Sequence, residues 1–443
     1  MIDSNRKNVN DFNEKSLPSG WECKPLSEVC NIVSGGTPDR SCSEYWEGGT
    51  FPWATPTDIT SDNKRTIKNT KEYITEAGLK NSSAKLVPIG SLLMTSRATI
   101  GEIKINEVEM CTNQGFKTLV PNELVDNWFL FYQMKFLKEK YEVLGSGSTF
   151  LEVSKKDAEN FNIITPLLIV EQKEISRILL TVDNAIEKTE LLIEKYTDIK
   201  TGLMQDLLTG RVRVKNGVQT EENKFKESII GLIPEDWNES FLSDYCEIQG
   251  GYAFESKDYC EDGIQLIRIG SLFNNELNLD RDPVFLPYEF KNIYPNYVVK
   301  PDDILISMTG TIGKRDYGFA VKIPSMNKEF MLNQRVGKFI IKEGIDRDYL
   351  FYVLHSDYYL TTLYTRAGGT KQANLTSQQI LQIKVAVPEI EEQKAIADIL
   401  NVKDDIIEKE YAYLNKLKLL KQGLMQDLLT GKVRVKVEVN GDE

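Results

Sequence analysis

The sequence GLMQDLLTGRVRVK at residues 202–215 returns as GLMQDLLTGKVRVK at residues 423–436, with one arginine-to-lysine difference. Upstream, EQKEISRIL at 171–179 matches EQKAIADIL at 392–400 with the same displacement of 221 residues. Self-similarity at one fixed displacement over such a length indicates a tandem duplication. The chain is therefore predicted to contain two similar halves in succession.

The stretches that precede these copies repeat more weakly. LPSGWECKPLSEVCNI at 17–32 aligns with IPEDWNESFLSDYCEI at 233–248, and LLMTSRATIG at 92–101 aligns with ILISMTGTIG at 304–313. The copied segments indicate one task performed twice. The diverged segments indicate two different versions of a second task.

Each copied segment ends a predicted long helix. In residues 171–209, apolar or near-apolar positions alternate in steps of three and four, which is typical of a coiled-coil seam: Ile175, Ile178, Val182, Ala185, Thr189, Leu192, Tyr196, Ile199, Leu203 and Leu207. At 1.5 Å per residue this helix is roughly 58 Å long, more than one small domain needs. We therefore favour paired spacer helices over a helix packed on its own globular half.

The second predicted helix covers residues 391–430. Its seam is interrupted by Lys403 and Glu410, and its apolar positions are Ile396, Ile399, Ile406, Tyr413, Leu417, Leu420, Leu424 and Leu428. Two such helices in one chain can bury each other's seams.

The remaining sequence predicts two α+β domains, because short β-rich runs with turn residues precede helical stretches at 124–140 and 346–362. The predicted organisation is a polar N-terminal segment 1–16, a first globular domain 17–169, a central helix 170–215, a polar flexible linker 216–232, a second globular domain 233–388, a C-terminal helix 389–436 and a tail 437–443.

Composition excludes several classes of protein. A hydrophobic fraction of 41% and a charged fraction of 27% are ordinary for a soluble chain. The polar start lacks a secretory signal, so we expect a cytoplasmic protein whose six cysteines are free thiols. No pair of cysteines has CxxC spacing, which argues against a zinc site. The net charge of −12 argues against a simple basic DNA-binding module, unless local patches or partner subunits supply positive charge.

Catalytic motifs are missing from the sequence. The only histidine, His355, would have to be the base of any serine–histidine–aspartate triad, and a histidine on a helix surface is the favoured interpretation. GTIGKR at 310–315 lacks the first glycine and the final Ser or Thr of a phosphate-binding loop. We therefore predict no catalytic residue, no metal ligand and no cofactor ligand in this chain.

Polar clusters suited to recognition occur at matching places in both halves. Asn and Gln can hold adenine with two hydrogen bonds, and Arg and Lys read guanine or contact phosphate. An ordinary solvated turn is the alternative for each residue. The predicted DNA-contacting residues are Thr95, Ser96, Arg97, Thr99, Asn113, Gln114, Lys117, Ser148, Thr149, Thr309, Thr311, Lys314, Arg315, Asn333, Gln334, Arg335, Lys371 and Gln372.

Several strings together resemble the DNA-specificity subunits of type I restriction–modification systems. They are the twice-present helix from EQK to GLMQDLLTG, LPSGWECKPLSEVCNIVSGGTP at 17–38, IPEDWNESFLSDYCEIQGGYAF at 233–254, YWEGGTFPWATPTDI at 45–59 and GIQLIRIGSL at 263–272. The sixteen-residue polar head and the interrupted second seam depart from the family pattern.

The resemblance implies that each globular half is a target-recognition domain that reads one half of a split DNA site. It implies two antiparallel helices with pseudo-two-fold symmetry that set the gap and dock two methylation subunits. Motor-nuclease subunits would complete the complex. The chain itself would be non-catalytic, with S-adenosylmethionine, ATP and Mg²⁺ held by partner subunits. A two-headed protein-binding scaffold and a specificity subunit for a fused nuclease–methylase remain alternatives.

Overall fold

A computed structural model describes residues 17–145, 152–215, 217–222, 224–366 and 372–437. The chain forms two compact units, one made of residues 1–190 with 412–443 and the other of residues 191–411. The first unit therefore combines the N-terminal globular domain with the C-terminal end of the chain. The second unit contains the other globular domain.

The globular part of the first unit is a mixed α+β domain, as predicted. Its described strands are β1 (Trp21–Pro25), β2 (Cys30–Ser34), β3 (Phe51–Ala54), β4 (Thr66–Ile67), β5 (Glu72–Ile74), β6 (Leu92–Met94), β7 (Ile103–Asn106), β8 (Cys111–Thr112), β9 (Lys117–Pro121) and β10 (Asn162–Pro166). They form a five-stranded sheet in the order β2-β9-β6-β7-β4, a three-stranded sheet in the order β5-β3-β8, and a β1-β10 ribbon.

Helices pack against these sheets, because this packing removes the apolar side chains of the helices from water. The described helices of this domain are α1 (Leu26–Val29), α2 (Pro56–Thr60), α3 (Glu76–Lys80), α4 (Asn127–Phe136), α5 (Lys138–Leu144) and α6 (Lys155–Glu159). Helix α4 begins at Asp126, whose carboxylate accepts a hydrogen bond from the backbone of Phe129. Phe129, Leu130 and Phe131 of α4 are fully buried in the core. The long helix α7 (Ile169–Leu208) follows β10.

The globular part of the second unit repeats this plan with different strands. Its described strands are β11 (Val212–Lys215), β12 (Val218–Glu221), β13 (Phe225–Ser228), β14 (Gly231–Pro234), β15 (Asn238–Phe241), β16 (Cys246–Gly250), β17 (Ile264–Ile267), β18 (Leu272–Phe273), β19 (Glu276–Leu277), β20 (Phe285–Leu286), β21 (Val298–Val299), β22 (Ile304–Ser307), β23 (Thr309–Thr311), β24 (Ala320–Lys322), β25 (Phe330–Leu332), β26 (Val336–Ile341), β27 (Gln372–Asn374) and β28 (Lys384–Val387). Two four-stranded sheets, β16-β26-β22-β24 and β20-β17-β25-β21, form its centre.

The described helices of this domain occupy positions like those of the first. They are α8 (Leu242–Tyr245), α9 (Phe290–Ile293), α10 (Arg347–Val353), α11 (Asp357–Arg366) and α12 (Ser377–Leu381), and the long helix α13 (Ile390–Leu428) follows β28. Both long helices begin and end within two residues of the predicted bounds.

The predicted flexible linker 216–232 needs correction, because much of it is regular structure. Strand β11 pairs with β12, and β13 pairs with β14, in two antiparallel hairpins. Val212 and Val214 alternate with Arg213 along β11, and Val214 and Arg213 are both buried. The polar sequence of this segment did not indicate strands, because the two hairpins are held by hydrogen bonds between backbone groups, which polar residues also carry.

The two long helices pair antiparallel in the first unit. Lys421 Nζ lies 2.7 Å from Asp183 Oδ1, and Lys418 Nζ lies 2.8 Å from Glu190 Oε1. Residue numbers fall along α13 as they rise along α7, which confirms the predicted antiparallel direction. In the second unit, the Lys200 ammonium pairs with the Asp404 carboxylate, which is the repeat-related contact.

The phase of the predicted seam is partly wrong. Ile199, Tyr413 and Leu420, all predicted to lie in the seam, are 38%, 50% and 51% exposed. Ile193 and Leu414, which the prediction omitted, are buried instead. The error arises because ion-paired residues such as Lys200 occupy part of the buried stripe, so apolar character alone does not mark it.

An ion-pair cluster explains the glutamate that opens the repeated EQK sequence. Glu171 is buried and accepts hydrogen bonds from the Trp21 indole at 3.4 Å and from Arg434 Nε and Nη2 at 2.6 and 2.7 Å. Trp21 belongs to β1, whereas Arg434 follows α13. The cluster therefore joins the start of α7 to segments at both ends of the first unit.

The same ion-pair cluster recurs in the second unit, where its arginine has more carboxylate partners. Glu392 accepts from the Trp237 indole at 3.3 Å and from Arg213 Nε and Nη2 at 2.8 and 2.7 Å. Arg213 also bonds Glu222 and Asp236. The Arg213 hydrogen bonds lower the pKa of Asp236 to about 2. The Arg213 side chain is 3% exposed, against 40% for Arg434.

The glutamine of EQK holds the domain against the helix. Gln172 Oε1 accepts from the backbone N–H of Asp126 at 2.8 Å, and Gln393 Oε1 accepts from that of Asp346 at 2.7 Å. Each Nε2 donates to the carbonyl of the proline shortly before its helix. One residue thus satisfies a backbone donor at the start of a domain helix and a backbone acceptor beside the long helix.

Replacing Arg213 and Arg434 separately tests the difference in burial between the two ion-pair clusters. We expect Arg213→Ala to lower the free energy of unfolding by about 3–5 kcal/mol, because Glu392 is left buried without its ion pair. Arg434→Ala also leaves the buried Glu171 without its ion pair, but it should cost less, about 1–3 kcal/mol, because the Arg434 side of the pair is 40% exposed and water can reach it. Thermal unfolding measures both. Hydrogen exchange should show the loss of protection around Trp237 in the first variant only, and equal losses in both would contradict the asymmetry.

Candidate nucleic-acid interface

Three of the predicted DNA contacts in the first domain lie inside it. Thr95, Ser96 and Lys117 are buried. Thr95 Oγ1 accepts from the backbone N–H of Glu102 at 3.1 Å, and Lys117 Nζ lies 3.4 Å from Ser96 Oγ and 3.3 Å from Glu152 Oε1. Their prediction as DNA contacts is therefore corrected. Lys117 therefore bridges Ser96 and Glu152, and the Thr95 hydroxyl is bonded to the backbone of its own turn.

Other predicted residues of this domain reach the surface. Gln114 is exposed, and its side chain pairs with the Thr37 hydroxyl in the glycine-containing loop after β2. Asn113 is partly buried, and its side-chain oxygen Oδ1 accepts a hydrogen bond from the backbone N–H of Gly115 at 2.8 Å. This arrangement places a primary amide beside a loop whose backbone approaches closely, since a Cβ on Gly36 would collide with the backbone of Ala84.

The turn after β6 carries Arg97 and Thr99, both exposed. Arg97 Nη2 lies 2.7 Å from Glu152 Oε2. Burial alone would raise the pKa of Glu152, but its hydrogen bonds from Arg97 and Lys117 outweigh that effect and lower it. The Arg97 guanidinium is thus partly neutralised by an acid of its own domain.

In the second domain, Asn333, Gln334 and Arg335 form one turn between β25 and β26. Gln334 and Arg335 are exposed, and Asn333 is partly buried. The backbone N–H of Gln334 donates to the carbonyl of Tyr252 at 2.9 Å, and Arg335 has a positive φ of 70°. Tyr252 lies in the loop after β16, so the backbone of Gln334 adjoins the glycine loop of its domain.

A second surface cluster of this domain lies on the β23–β27 ribbon. Thr311 is opposite Gln372 in the register, and Lys314 and Arg315 follow in the next turn. All four are exposed. Thr309, at the other end of β23, is buried, which corrects its prediction as a DNA contact. The predicted contacts Ser148, Thr149 and Lys371 lie outside the described residues.

Two basic features were not predicted from the sequence. The Arg40 guanidinium lies 3.9 Å from the Trp46 ring centroid and 4.8 Å from that of Trp53. Its hydrogen bond to Glu72 lowers the pKa of that carboxyl. The aromatic string at 45–59 was a signal for this site, but the arginine precedes it.

The second feature is a groove of about 630 Å³ in the second unit. Its lining includes Lys291, Lys300 and Lys328. The three lysines come from separate segments, so no charge run in the sequence marks them. Lysines grouped in a groove suit contacts with phosphate.

No described feature supports catalysis. His355 is not on a helix surface, as the sequence suggested, but partly buried, with Nδ1 2.7 Å from the Phe351 carbonyl. Burial lowers the pKa of His355. Among the described residues there is no cluster of His, Cys, Asp and Glu able to hold a metal ion. None of the described helices is long and apolar enough to cross a membrane.

Comparison with known proteins agrees with this architecture. The family model described as "Type I restriction modification DNA specificity domain" matches twice, at residues 18–195 and 234–419. The MjaVIII specificity subunit of a type I restriction enzyme from Methanocaldococcus jannaschii is 31% identical over 435 residues, covering 97% of each chain. This chain belongs to the type I restriction–modification DNA-specificity family.

Two solved structures show the same fold at low sequence identity. The S subunit from M. genitalium superposes with a TM-score of 0.58 at 14% identity, covering 94% of this chain and 98% of its own. A chain from a study of type I R-M complex assembly gives 0.52 at 19% identity, covering 94% and 100%. As a specificity subunit, the protein is a non-catalytic DNA-recognition subunit that assembles with other restriction–modification subunits.

Lys117→Gln separates a structural lysine from a DNA-contacting one. We expect about 1–3 kcal/mol of destabilisation in urea unfolding, since the buried Ser96 hydroxyl and the partly buried Glu152 carboxylate lose a partner. The salt dependence of DNA binding by the assembled subunit should be unchanged. The control, Gln114→Ala, should leave stability unchanged. A reduced salt dependence in the Lys117 variant would return this residue to the DNA surface.

Proposed function

We propose that this specificity subunit reads a bipartite, asymmetric DNA target and directs adenine methylation and restriction by partner subunits. One domain, residues 17–169, would read one half-site, and the other, residues 233–388, the second. The observation that carries the proposal is the unequal duplication. The clusters around Glu171 and Glu392 are repeated with the same residue types, whereas the surfaces around Gln114 and Gln334 differ.

Primary amides at matching places are the strongest candidates for reading bases. Gln114 and Gln334 are both exposed beside the glycine-containing loop that follows the first sheet strand of their domain. Glutamine can pair with both N6 and N7 of adenine in the major groove. The flanking residues differ, because Arg335 follows Gln334 whereas Gly115 follows Gln114. Unlike neighbours beside a common amide favour two different half-sites.

The acidic net charge of −12 fits a subunit that does not hold DNA alone. Phosphate contacts supply most non-specific affinity, and they need positive charge. Lysine groups such as the groove of the second domain are local exceptions. We propose that partner subunits complete the positive surface around the DNA. The 40 residues of α7 give roughly 60 Å of helix, equal to about 17 base pairs, as the element that sets the unspecified gap.

The outer faces of the long helices are the proposed docking sites for two methylation subunits. Gly202 and Gly423 occupy the same place in the two copies, and a Cβ on either would meet nothing within 4 Å. Nine residues, or two and a half turns, separate Gly202 from the buried Ile193, so the glycine lies on the opposite face. Glycine costs a helix about 1 kcal/mol relative to alanine, and no contact with the part of the chain that the structure describes requires it. A partner backbone approaching closely would require it.

Large side chains at these glycines test the docking sites. We expect Gly202→Leu and Gly423→Leu to keep or raise thermal stability, because leucine favours the helix. Each should weaken binding of one methylation subunit roughly 10- to 100-fold, since overpacking an interface costs about 1–3 kcal/mol. Native mass spectrometry of the complex would show one partner lost in each single variant and both in the double variant.

The control for this experiment is Thr181→Leu, an exposed position of α7 outside the copied segment. Its repeat counterpart is Val402, so an apolar side chain is already tolerated at that place. Full assembly of the Gly202→Leu, Gly423→Leu double variant would contradict the docking proposal while leaving DNA recognition open.

Methylation mapping of a genome that carries this subunit and its partners tests the target. We expect adenine modified on both strands of a bipartite site whose two specified parts differ, because the two reading surfaces differ. A continuous palindrome would contradict the proposal. Absence of any sequence preference would favour the two-headed protein-binding scaffold, and co-purification with one nuclease–methylase polypeptide would identify the fused system.

A further inference from the structure

The turn that follows the third sheet strand differs between the two domains. In the first domain it runs from Arg97 to Glu102, and in the second from Thr309 to Lys314. Both turns end a strand of the main sheet, and both pair with a later segment of their domain. Arg97 bridges Glu152, and Thr309 is opposite Asn374. The two turns are therefore structural counterparts.

The turn of the first domain is closed against its own helix α5. Ile100 is 7% exposed, and the Lys138 side chain packs over Gly101, where a Cβ would lie 3.0 Å from its Cγ. Lys138 Nζ also pairs with Glu102 Oε1 at 2.6 Å. Together with the Arg97–Glu152 pair, this turn presents a surface whose positive charges are already matched by acids.

The turn of the second domain is open. Ile312 is 39% exposed, and a Cβ on Gly313 would meet nothing within 4 Å. The turn is nevertheless well defined. The backbone N–H of Lys314 donates to the Thr311 carbonyl at 3.1 Å, and Asp316 Oδ1 accepts from the backbone N–H of Thr311 at 2.7 Å. A rigid, projecting turn can enter a groove without a large cost in conformational entropy.

The two turns also differ in the charged residues at matching positions. Lys314 replaces the acid Glu102, and Asn374 replaces the acid Glu152. Arg315 extends the basic surface, with its guanidinium 5.3 Å from the Tyr364 ring centroid. An ammonium and an amide thus stand where the first domain has two carboxylates, and Asp316, the acid that follows Arg315, is held against the backbone N–H of Thr311. Across the ribbon, Gln372 supplies a second exposed amide opposite Thr311.

We propose that the Thr311–Arg315 turn, with Gln372 beside it, enters a DNA groove and sets part of the base sequence of one half-site, whereas the Arg97–Glu102 turn makes no such contact. Lys314 and Arg315 bind phosphates that flank the groove. Thr311 and Gln372 face base edges. The first domain relies on its Gln114 surface instead. The inference rests on the proposed function and assigns different reading elements to the two domains.

The test uses the full chain assembled with its methylation subunits and a library of DNA duplexes. Lys314→Gln combined with Arg315→Gln should weaken binding about tenfold and reduce the slope of log affinity against log salt by roughly 1.8, because two phosphate contacts are lost. Gln372→Ala should relax the sequence preference at one or two positions in a single half-site. The other half-site should keep its preference in both variants.

The matched control is Thr99→Val combined with Glu102→Gln in the first domain, which should leave affinity and both half-site preferences unchanged. Unchanged binding and preference in the Lys314, Arg315 and Gln372 variants, with a sequence-selective parent complex, would overturn this inference alone. A parent complex without sequence preference would overturn the proposed function itself. Altered preference in the Thr99, Glu102 variant would also overturn the inference, because the two turns would then act alike.

Discussion

A buried glutamate at the start of each long helix is the constraint on which both units depend. Glu171 and Glu392 are both buried, and a buried carboxylate is tolerated only when it is paired and hydrogen-bonded. The tryptophan of each domain supplies one hydrogen bond, and an arginine that follows the other long helix supplies two. Each domain is therefore completed by the end of the helix that belongs to the other repeat. This requirement explains why the EQK sequence at the start of each long helix and the VRVK sequence after its end are both repeated.

The arginines that pair with the two buried glutamates differ in their burial and in their other partners. Arg213 is almost fully buried and gains Glu222, from the hairpin segment between the repeats, and Asp236, next to Trp237 in the second domain. Arg434 has Glu171 and the carbonyl of Ser19. The segment between repeats has thus become part of the second cluster, which is why it is ordered into strands.

Divergence is concentrated where no such requirement acts. The turns after β6 and β22 have the same backbone role, yet one is neutralised by acids and the other projects basic and amide groups. Under the proposed function, substitution in these turns changes the target preference and leaves the clusters around Glu171 and Glu392 in place. Gly202 and Gly423 also lie outside the buried clusters, because a Cβ on either glycine would meet nothing within 4 Å.

The sequence by itself determined the duplication, the α+β class, the bounds of both long helices and the family, because these depend on local periodicity and on exact repetition. It also located Gln114 and Gln334 at matching places. Only the tertiary structure decided which polar residues face solvent. Thr95, Ser96 and Lys117 look like a surface cluster in the sequence, but all three are buried, with Lys117 bonded to Ser96 and Thr95 bonded to the backbone of Glu102. Ile199 and Leu420 look like seam residues, but they lie outside because Lys200 and Lys421 pair with carboxylates on the inner face. A pattern of residue types cannot show which charge will find a partner, because that partner lies about two hundred residues away in the chain.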